Sequence, residues 1–375
     1  MLDTIGIKIC DTTLRDGEQM PGVVFSPKQK IELAQKISGF GADIIELMPC
    51  ISKSEAQVTK AIANLGLKAE ITASTMLKKQ HIDLAVSCNV DSVTLFAPVS
   101  DLHLEAKLKI TREENTRNAL EAIDYAKSHG LKINFAGEDS TRADMGYLSE
   151  FINTISPYIE YFLVCDTVGC HTPERSYLFF KNICAKTSCT IGLHGHNDFG
   201  MATANTISGL AAGAGVFSGT FTGIGERSGN VSIEEVCSAL KFLYNMDLGI
   251  NYSEMTEICR LVEAYSGISV QPHKPIVGTN SFSHESGIHV NGVLKNPNTY
   301  EPFDPKLVGQ ERRIILGKHS GKSSIKYEFG SDVSEGMVAF ILDIVKSASE
   351  KSENEGRSIS VQEALGLDKI KRGAE

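Results

Sequence analysis

The 375 residues contain no block of basic residues, no long apolar run and no Cys-x-x-Cys pair. The net charge of −9 argues against nucleic acid and anionic membrane surfaces as partners. The longest stretch of small residues, 204–223, is interrupted by Asn, Thr, Ser and Gly, which excludes a membrane span. The first residues show no charged segment followed by an apolar one, so we expect no signal peptide.

The nine cysteines are an odd number with irregular spacing. This pattern does not resemble a disulfide framework, and it is typical of small buried side chains in a reducing compartment. We therefore expect a cytoplasmic protein. Hydrophobic residues make up 42% of the chain and charged residues 22%, as in ordinary globular domains.

Short β-branched runs alternate with helical patterns from residue 7 to about 245. Capping signals support the helices, because Ser26 and Thr172 each precede a proline that fits the first helical position. The strands are predicted near 7–11, 43–47, 68–73, 92–97, 132–136, 161–165, 190–194 and 216–221. The helices are predicted near 27–40, 53–64, 82–88, 112–129, 145–155, 173–185, 201–213 and 232–244.

Eight strand–helix repeats predict an α/β fold, the closed (β/α)8 TIM barrel, with an open doubly wound sheet as the alternative. We predict that residues 1–275 form this barrel and that residues 276–375 form a small, mostly helical C-terminal region. An amphipathic helix is expected over 252–266 and a further helix over 333–349, and a polar, flexible link over 349–358 is expected to lead to a last helix.

Polar groups follow six of the eight predicted strands. In a barrel the C-terminal ends of the strands build the active site, so these groups are expected at one face. The clusters are 11–19, 100–103, 138–142, 166–169, 194–198 and 223–230.

His194 and His196 are two residues apart at the end of a predicted strand, so their side chains point the same way. Two imidazoles with a carboxylate make a common divalent-metal site, whereas a pair of unrelated hydrogen-bonded histidines is the alternative. Asp11 and Asp16 are both candidate carboxylates, which spacing alone does not separate, and Asn230 could add an oxygen. Such a set does not choose among Mn²⁺, Mg²⁺, Zn²⁺ and Co²⁺.

Two further side chains suggest acid–base and oxyanion chemistry. Arg15 beside a metal-bound carbonyl could stabilise a developing oxyanion, or it could form a buried ion pair with Asp11 or Glu18. Glu138 could be a general acid or base, or could belong to a helix N-cap with Asp139.

Two glycine-rich segments resemble nucleotide-binding motifs only weakly. Residues 317–323 have three residues between the glycines where the P-loop needs four, so we reject nucleoside triphosphate binding. The segment 223–228 is an equally weak dinucleotide fingerprint.

Five motifs together resemble the isopropylmalate/homocitrate synthase family over nearly the whole chain. They are DTTLRDGEQ (11–19), HGHND (194–198), GxGERxGN (223–230), HESGIH (284–289) and LGKHSG (316–321). The resemblance implies a TIM barrel that condenses acetyl-CoA with a 2-oxo acid. It also implies a divalent metal held by Asp16, His194, His196 and Asn230.

The resemblance implies roles for residues around that metal. Arg15 would polarise the 2-oxo group, and Glu138, His289 and Tyr300 would handle protons. Thr167 would contact the carboxylate of the 2-oxo acid, and Gln19 and His103 are candidates for the same pocket. Because His289 and Tyr300 of the family reach the neighbouring subunit's site, we expect a homodimer.

The sequence predicts the reaction more clearly than it predicts which 2-oxo acid accepts the acetyl group. Segments 20–26, 138–144 and 274–278 look most like the short homocitrate synthases of nitrogenase cofactor assembly, which predicts 2-oxoglutarate. Asn134, however, occupies the position where lysine-pathway homocitrate synthases use Arg for the distal carboxylate, and Met48 and Met76 also depart from the family pattern. 2-Oxoisovalerate, pyruvate, oxaloacetate or a phosphonate analogue therefore remain alternatives.

Two other classes of function compete with the synthase. A hydroxyacyl-CoA lyase would use a similar barrel, but residues 284–289 and Tyr300 match the synthases. A catalytically silent barrel that only binds is disfavoured by the set of Arg15, Asp16, Glu138 and the two histidines.

Overall fold

The computed structural model describes residues 6–355, and the chain divides into two compact units after Val270. The first unit contains eight short strands. They are β1 (Lys8–Asp11), β2 (Ile44–Leu47), β3 (Glu70–Met76), β4 (Ser92–Pro98), β5 (Lys132–Glu138), β6 (Tyr161–Asp166), β7 (Thr190–Gly195) and β8 (Val216–Gly219).

The eight strands form a closed parallel barrel in sequence order, which confirms the TIM barrel and excludes the open sheet. Closure is made by β1 and β8, where Cys10 lies opposite Ser218 and Asp11 opposite Gly219. Since every strand runs the same way, all eight C-terminal ends meet at one mouth.

Helices follow the strands as predicted, mostly within three residues of the expected limits. They are α1 (Pro27–Phe40), α2 (Lys53–Ala63), α3 (Lys79–Ser87), α4 (Asp101–His103), α5 (Arg112–Ser128), α6 (Met145–Ile155), α7 (Pro173–Lys186), α8 (Ala202–Ala211), α9 (Ile233–Leu243) and α10 (Met255–Ser266). Single 3-10 turns lie at Gly17–Gln19, Pro49–Ile51, Ser140–Arg142, Ser156–Tyr158, Phe221–Gly223 and Tyr252–Glu254.

Local sequence accounts for several of these limits. Ser26 and Thr111 each make a capping box with the residue three positions on, which begins α1 and α5. Gly41 ends α1 at φ 109°, a left-handed conformation that costs glycine little. Between β5, β6 and α6, the rings of Phe135, Phe151 and Phe162 pack with centroids 5.4–6.3 Å apart.

The segment after β4, which the sequence marked only by the polar cluster 100–103, is helical. α4 continues directly into a π-helical turn, Leu104–Leu108, which ends at Lys109 in a left-handed conformation (φ 56°). Ser100 accepts a hydrogen bond from the His103 amide and starts this helical segment. The segment carries Lys107 to the barrel mouth.

The second unit is mostly helical, as predicted. It contains β9 (Ser283–His284), α11 (Gly287–Lys295), β10 (Arg313–Ile314), α12 (Lys322–Phe329) and α13 (Glu335–Glu355), with 3-10 turns at Pro297–Thr299 and Pro305–Val308. β9 and β10 form a parallel two-stranded pair. The prediction of a flexible link from residue 349 was wrong, because α13 continues to Glu355. Residues 356–358 and the last helix expected after them lie outside the described part. An apolar stripe of Val338, Ile341 and Val345 packs on Ile325 and holds α13.

No helix among residues 6–355 is long and apolar enough to cross a membrane.

Candidate metal and catalytic site

Asp16, His194 and His196 converge at the barrel mouth, and all three are buried. Nε2 of His194 lies 3.2 Å from Nε2 of His196 and 3.6 Å from Oδ2 of Asp16. Strand β7 supplies both rings, and the loop after β1 supplies the carboxylate. This is the one set of three potential His, Cys, Asp or Glu ligands that the described residues bring together.

The geometry of these atoms fits one metal ion. Ligands bonded at about 2.0–2.2 Å and about 90–110° apart are separated from each other by about 3–3.5 Å, close to the distances observed. Asn230 donates from Nδ2 to Oδ1 of Asp16 at 2.7 Å, while its buried Oδ1 has no partner. Nδ1 of His194 contacts the Ser218 hydroxyl at 3.2 Å, which orients that ring.

The charges of the three groups also suit a cation. Burial alone would raise the pKa of Asp16, but Arg15 and the two histidines outweigh it and hold that pKa well below its usual value. Burial, reinforced by His194, lowers the pKa of His196 to about 4. At neutral pH the site therefore offers a carboxylate and a neutral imidazole, the forms that bind divalent metals.

Asp11, the other candidate carboxylate, does not join this set. It is fully buried, and its two oxygens accept hydrogen bonds from the amide and hydroxyl of Thr13. Thr13 in turn accepts a hydrogen bond from the Phe221 amide, so Asp11 fixes the junction between β1 and the loop after β8. Its role is structural.

Burial raises the pKa of Asp11 to about 7, and this predicts a specific pH dependence. An unfolded Asp ionises near pH 4, so between about pH 4 and 7 the folded state holds the extra proton. Stability then falls as pH rises through this window, by up to about 1.4 kcal/mol per pH unit from this group. From pH 5 to pH 8, the free energy of unfolding measured in urea should fall less for Asp11→Asn than for the wild type. An equal loss in both proteins would contradict this assignment.

Arg15 lies between two carboxylates at the mouth. Its Nη1 is 2.7 Å from Asp16, and its Nε and Nη2 are 2.7 and 2.6 Å from Glu46 on β2. Burial opposes the charge, but the two carboxylates outweigh it and raise the pKa of Arg15, so the guanidinium stays cationic. The alternative of a pair with Asp11 or Glu18 was wrong, since Glu18 pairs with the buried Lys30.

Glu138 ends β5 and faces the same cavity. Both of its oxygens accept hydrogen bonds from Nζ of Lys107 at 2.8 Å, and Nδ1 of His103 is 3.4 Å from Oε1. The alternative of a Glu–Asp helix cap is not supported, because Asp139 makes no side-chain capping bond and instead accepts hydrogen bonds from Ser100 and Arg142.

A cavity of about 340 Å³ joins these groups. Its wall combines the metal-site residues with other polar and apolar side chains, and all eight strands or the loops that follow them contribute. Those lining it are Arg15, Asp16, Gln19, Glu46, Met48, Ser74, Phe96, Lys107, Ala136, Glu138, Leu163, Cys165, Thr167, His194, His196, Glu226 and Arg227.

The cavity contains some of the predicted substrate-binding residues and omits others. Gln19 and Thr167 line it, and the Thr167 hydroxyl accepts a hydrogen bond from the Asp139 amide at 2.9 Å. His103 lies behind Glu138 and is absent from the lining. Asn134 is buried on β5, four residues before Glu138 and on the same strand face, and it contacts Ser92 instead of the cavity.

Glu46, Lys107 and Arg227 belong to the site but were not predicted from the sequence. Glu46 had a signal, since an acidic residue within the apolar strand IIEL needs a buried cationic partner. Arg227 binds Asp198 through Nε at 2.8 Å and the Thr167 carbonyl at 2.7 Å, which ties together the loops after β6, β7 and β8. No local pattern predicts a clamp between such distant residues.

His289 and Tyr300 belong to the second unit. Their rings stack with centroids 4.0 Å apart, and both side chains are exposed. The next residue, Glu301, is buried and is held by Arg312 at 2.6–2.7 Å and by His284 at 3.2 Å. Burial opposes its charge, but Arg312 and His284 lower the pKa of Glu301.

The barrel carries two histidines, a carboxylate and an arginine at its mouth. This arrangement is typical of TIM-barrel enzymes that use a metal ion. A family model described as HMGL-like matches residues 6–262, and one described as homocitrate synthase post-HMGL domain-like matches residues 276–353. The chain belongs to the HMGL-like family, and it is an enzyme of the homocitrate and isopropylmalate synthase type.

Curated relatives carry several names. Homocitrate synthase AksA of Methanothermobacter thermautotrophicus is 45% identical over 92% of this chain and 90% of its own. A probable 2-isopropylmalate synthase of Ignicoccus hospitalis is 46% identical over 91% and 87%. The (R)-citramalate synthase CimA of Methanocaldococcus jannaschii is 45% identical over 96% and 74%.

Among solved structures, the hydroxymethylglutaryl-CoA lyase of Pseudomonas aeruginosa aligns with a TM-score of 0.63 at 18% identity. The alignment covers 72% of this chain and 96% of the lyase. This likeness supports the fold alone.

Proposed function

We propose that the protein condenses acetyl-CoA with a 2-oxo acid in a Claisen reaction and releases CoA. The observation that carries the proposal is one cavity holding Arg15, the Asp16–His194–His196 set and Glu138. Homocitrate, isopropylmalate and citramalate synthases are among the relatives at about 45% identity, and such a reaction suits each of those names.

The residues divide the chemistry between them. A divalent metal bound by Asp16, His194 and His196 would act as a Lewis acid on the 2-oxo group, and the ligand types do not choose among Mn²⁺, Mg²⁺, Zn²⁺ and Co²⁺. Arg15 directs a fixed cation at the oxygen that becomes an alkoxide, a contribution typically worth about 3–4 kcal/mol.

Glu138 is the candidate base for the acetyl methyl group. It takes a proton from that carbon, which then forms the new C–C bond to the carbonyl carbon of the 2-oxo acid as the π bond of that carbonyl breaks. The alkoxide that results is protonated to the alcohol. Water then cleaves the thioester, leaving a new carboxylate and free CoA. Lys107 holds both Glu138 oxygens and so sets the direction of the carboxylate.

The proposal includes a cytoplasmic homodimer in which His289 and Tyr300 serve the partner subunit's site. Their exposed, stacked rings leave polar atoms available to a second chain. All nine cysteines, which lie within the described residues, are free thiols, in keeping with a reducing compartment. Light scattering should give about twice the chain mass of 40.7 kDa, and a monomeric mass would contradict this arrangement.

We propose 2-oxoglutarate as the acceptor, so that the product is homocitrate. The match to a homocitrate synthase domain over residues 276–353 supports this choice. Asn134 is uncharged and lies away from the cavity wall, so the second carboxylate needs a cationic partner elsewhere. Lys107 and Arg227 both line the cavity and can supply it.

A free-thiol assay with acetyl-CoA and a panel of 2-oxo acids tests the proposal. We expect kcat/KM for 2-oxoglutarate to exceed that for 2-oxoisovalerate, pyruvate and oxaloacetate by about tenfold or more, because buried polar contacts discriminate strongly. A preference for another acid would overturn the acceptor and leave the reaction standing. Absence of CoA release with every acid, together with cleavage of a hydroxyacyl-CoA, would replace the synthase with a lyase.

A further inference from the structure

Three lysine or arginine side chains of the described residues line the cavity at the barrel mouth, and they differ in how firmly they are held. Arg15 is fixed between two buried carboxylates. Arg227 makes three hydrogen bonds, two of them to the Asp198 carboxylate. Among residues 6–355, Lys107 makes hydrogen bonds to Glu138 alone. Lys107 is therefore the cation of the cavity that can change its partner.

The contact between Lys107 and Glu138 occupies the group that has to take a proton. Nζ of Lys107 lies 2.8 Å from Oε1 and 2.8 Å from Oε2, so both oxygens of the candidate base accept hydrogen bonds from one ammonium group. A carboxylate in this state is a poor base, because the ammonium stabilises its charged form. The two oxygens have to be released before the acetyl methyl group can be deprotonated.

The release of Glu138 costs little free energy. The side chains of Lys107 and Glu138 are 52% and 24% exposed, and ion pairs with such access to water contribute little to stability. The flexible lysine stem lets Nζ move without any change in the backbone. His103 remains beside the base, since its buried Nδ1 has no hydrogen-bond partner and lies 3.4 Å from Oε1 of Glu138.

The backbone of the helical segment after β4 has an uncommon shape where it carries Lys107. The amide of Lys109 donates to the carbonyl of Leu104, five residues earlier, which makes a π-helical turn, and Lys109 itself is left-handed. A π turn takes more residues than an α turn and so changes the direction of the side chains on it. Both features are frequent at functional sites, where their strain is retained.

We propose that Lys107 is a specificity-determining residue that exchanges Glu138 for the distal carboxylate of the acceptor. In the free protein Lys107 holds Glu138. A dicarboxylic 2-oxo acid in the cavity attracts the ammonium group, and both oxygens of Glu138 become available. This proposal rests on the condensation proposed above, and it couples recognition of the acceptor to activation of the base.

The step that depends on this exchange is the deprotonation of acetyl-CoA. A C–H bond of the methyl group breaks, its proton forms an O–H bond with Glu138, and the electron pair moves into the enolate of the thioester. A monocarboxylic acceptor leaves Lys107 on Glu138, so the deprotonation is slow. Discrimination between acceptors therefore appears in kcat as well as in KM.

Lys107→Met tests the role of the ammonium group with a matched pair of acceptors, 2-oxoglutarate and 2-oxopentanoate, which share a carbon chain and differ in the distal carboxylate. In the free-thiol assay, kcat/KM for 2-oxoglutarate should fall by about tenfold or more, while kcat for 2-oxopentanoate should stay equal or rise. Lys107→Arg keeps the cation and should keep the preference of the wild type. The same preference in Lys107→Met as in the wild type would overturn the proposal.

Lys127→Met is the matched control for the loss of a lysine. Lys127 is exposed near the end of α5 that precedes β5, whereas the mouth lies where the strands end. Both kinetic constants should remain those of the wild type with either acceptor.

Deuterium exchange separates this proposal from the condensation itself. 2-Hydroxyglutarate and 2-hydroxypentanoate resemble the two acceptors but have no 2-oxo group, so neither can be condensed. With the metal-loaded wild type in D2O, deuterium should enter the methyl group of acetyl-CoA about tenfold faster with 2-hydroxyglutarate than with 2-hydroxypentanoate. In Lys107→Met the two rates should be equal.

The outcomes of the exchange experiment are distinct. Equal rates with both hydroxy acids in the wild type, or the same ratio of rates in both proteins, would overturn the role of Lys107 and leave the base in place. Absence of exchange in every protein with either acid would overturn Glu138 as the base, and this inference with it.

Discussion

His196→Ala abolishes metal-dependent CoA release, with an expected fall in kcat/KM of about a thousandfold or more. The expectation follows from the loss of one of three protein ligands in a buried site, where Lewis-acid stabilisation is worth several kcal/mol. The fold should survive, because Nδ1 of His196 has no hydrogen-bond partner to lose. Thiol release and bound metal, measured by elemental analysis, should fall together.

His129→Ala is the matched control, since this ring packs on Tyr125 at the end of α5, before β5 begins, whereas the mouth lies where the strands end. It should keep its metal content and its activity. Full activity of His196→Ala after metal reconstitution would contradict the assignment of His196 as a ligand.

Arg15→Met should lower kcat by about 10²–10³-fold, the usual effect of removing a donor to a developing oxyanion. It should also destabilise the protein by about 3–5 kcal/mol, because Glu46 and Asp16 are 1% and 3% exposed and would lose their cationic partner. Stability and activity must therefore be separated.

The double variant Arg15→Met/Glu46→Gln makes that separation. Neutralising Glu46 removes one uncompensated buried charge, so urea unfolding should show stability partly restored. The activity should stay as low as in Arg15→Met. Recovery of activity together with stability would show that Arg15 only holds the two carboxylates in place.

The barrel could be predicted because its signals are local. Short β-branched runs alternate eight times with helical patterns, caps such as Ser26 and Thr172 mark several helix starts, and closure follows from the count of eight. The helix after β4 was missed because the apolar residues of DLHLEAKL alternate with polar ones, which is not the period of a helix, although Ser100 precedes it as a cap. The end of α13 was missed because its last two turns are polar.

The metal site was predictable in part for the same reason. A His-x-His at a strand end predicts that both imidazoles point to the same place, since residues two apart in a strand share a face. The choice between Asp11 and Asp16 depends on the loop after β1 and on the buried hydrogen bonds that Thr13 makes to Asp11. The partners of Arg15 and Glu138, namely Glu46 and Lys107, lie about 30 residues away, beyond any local pattern.

Carbon-13 NMR with acetyl-CoA labelled at the methyl carbon follows the formation of the proposed C–C bond itself. With metal and 2-oxoglutarate, we expect the labelled methyl signal to be replaced by a methylene signal bonded to a quaternary carbinol carbon, with one equivalent of free thiol. Removal of the metal by a chelator should stop this conversion, and adding a divalent metal back should restore it. A label that stays in acetyl-CoA with every 2-oxo acid, or conversion that continues in metal-free protein, would contradict the account.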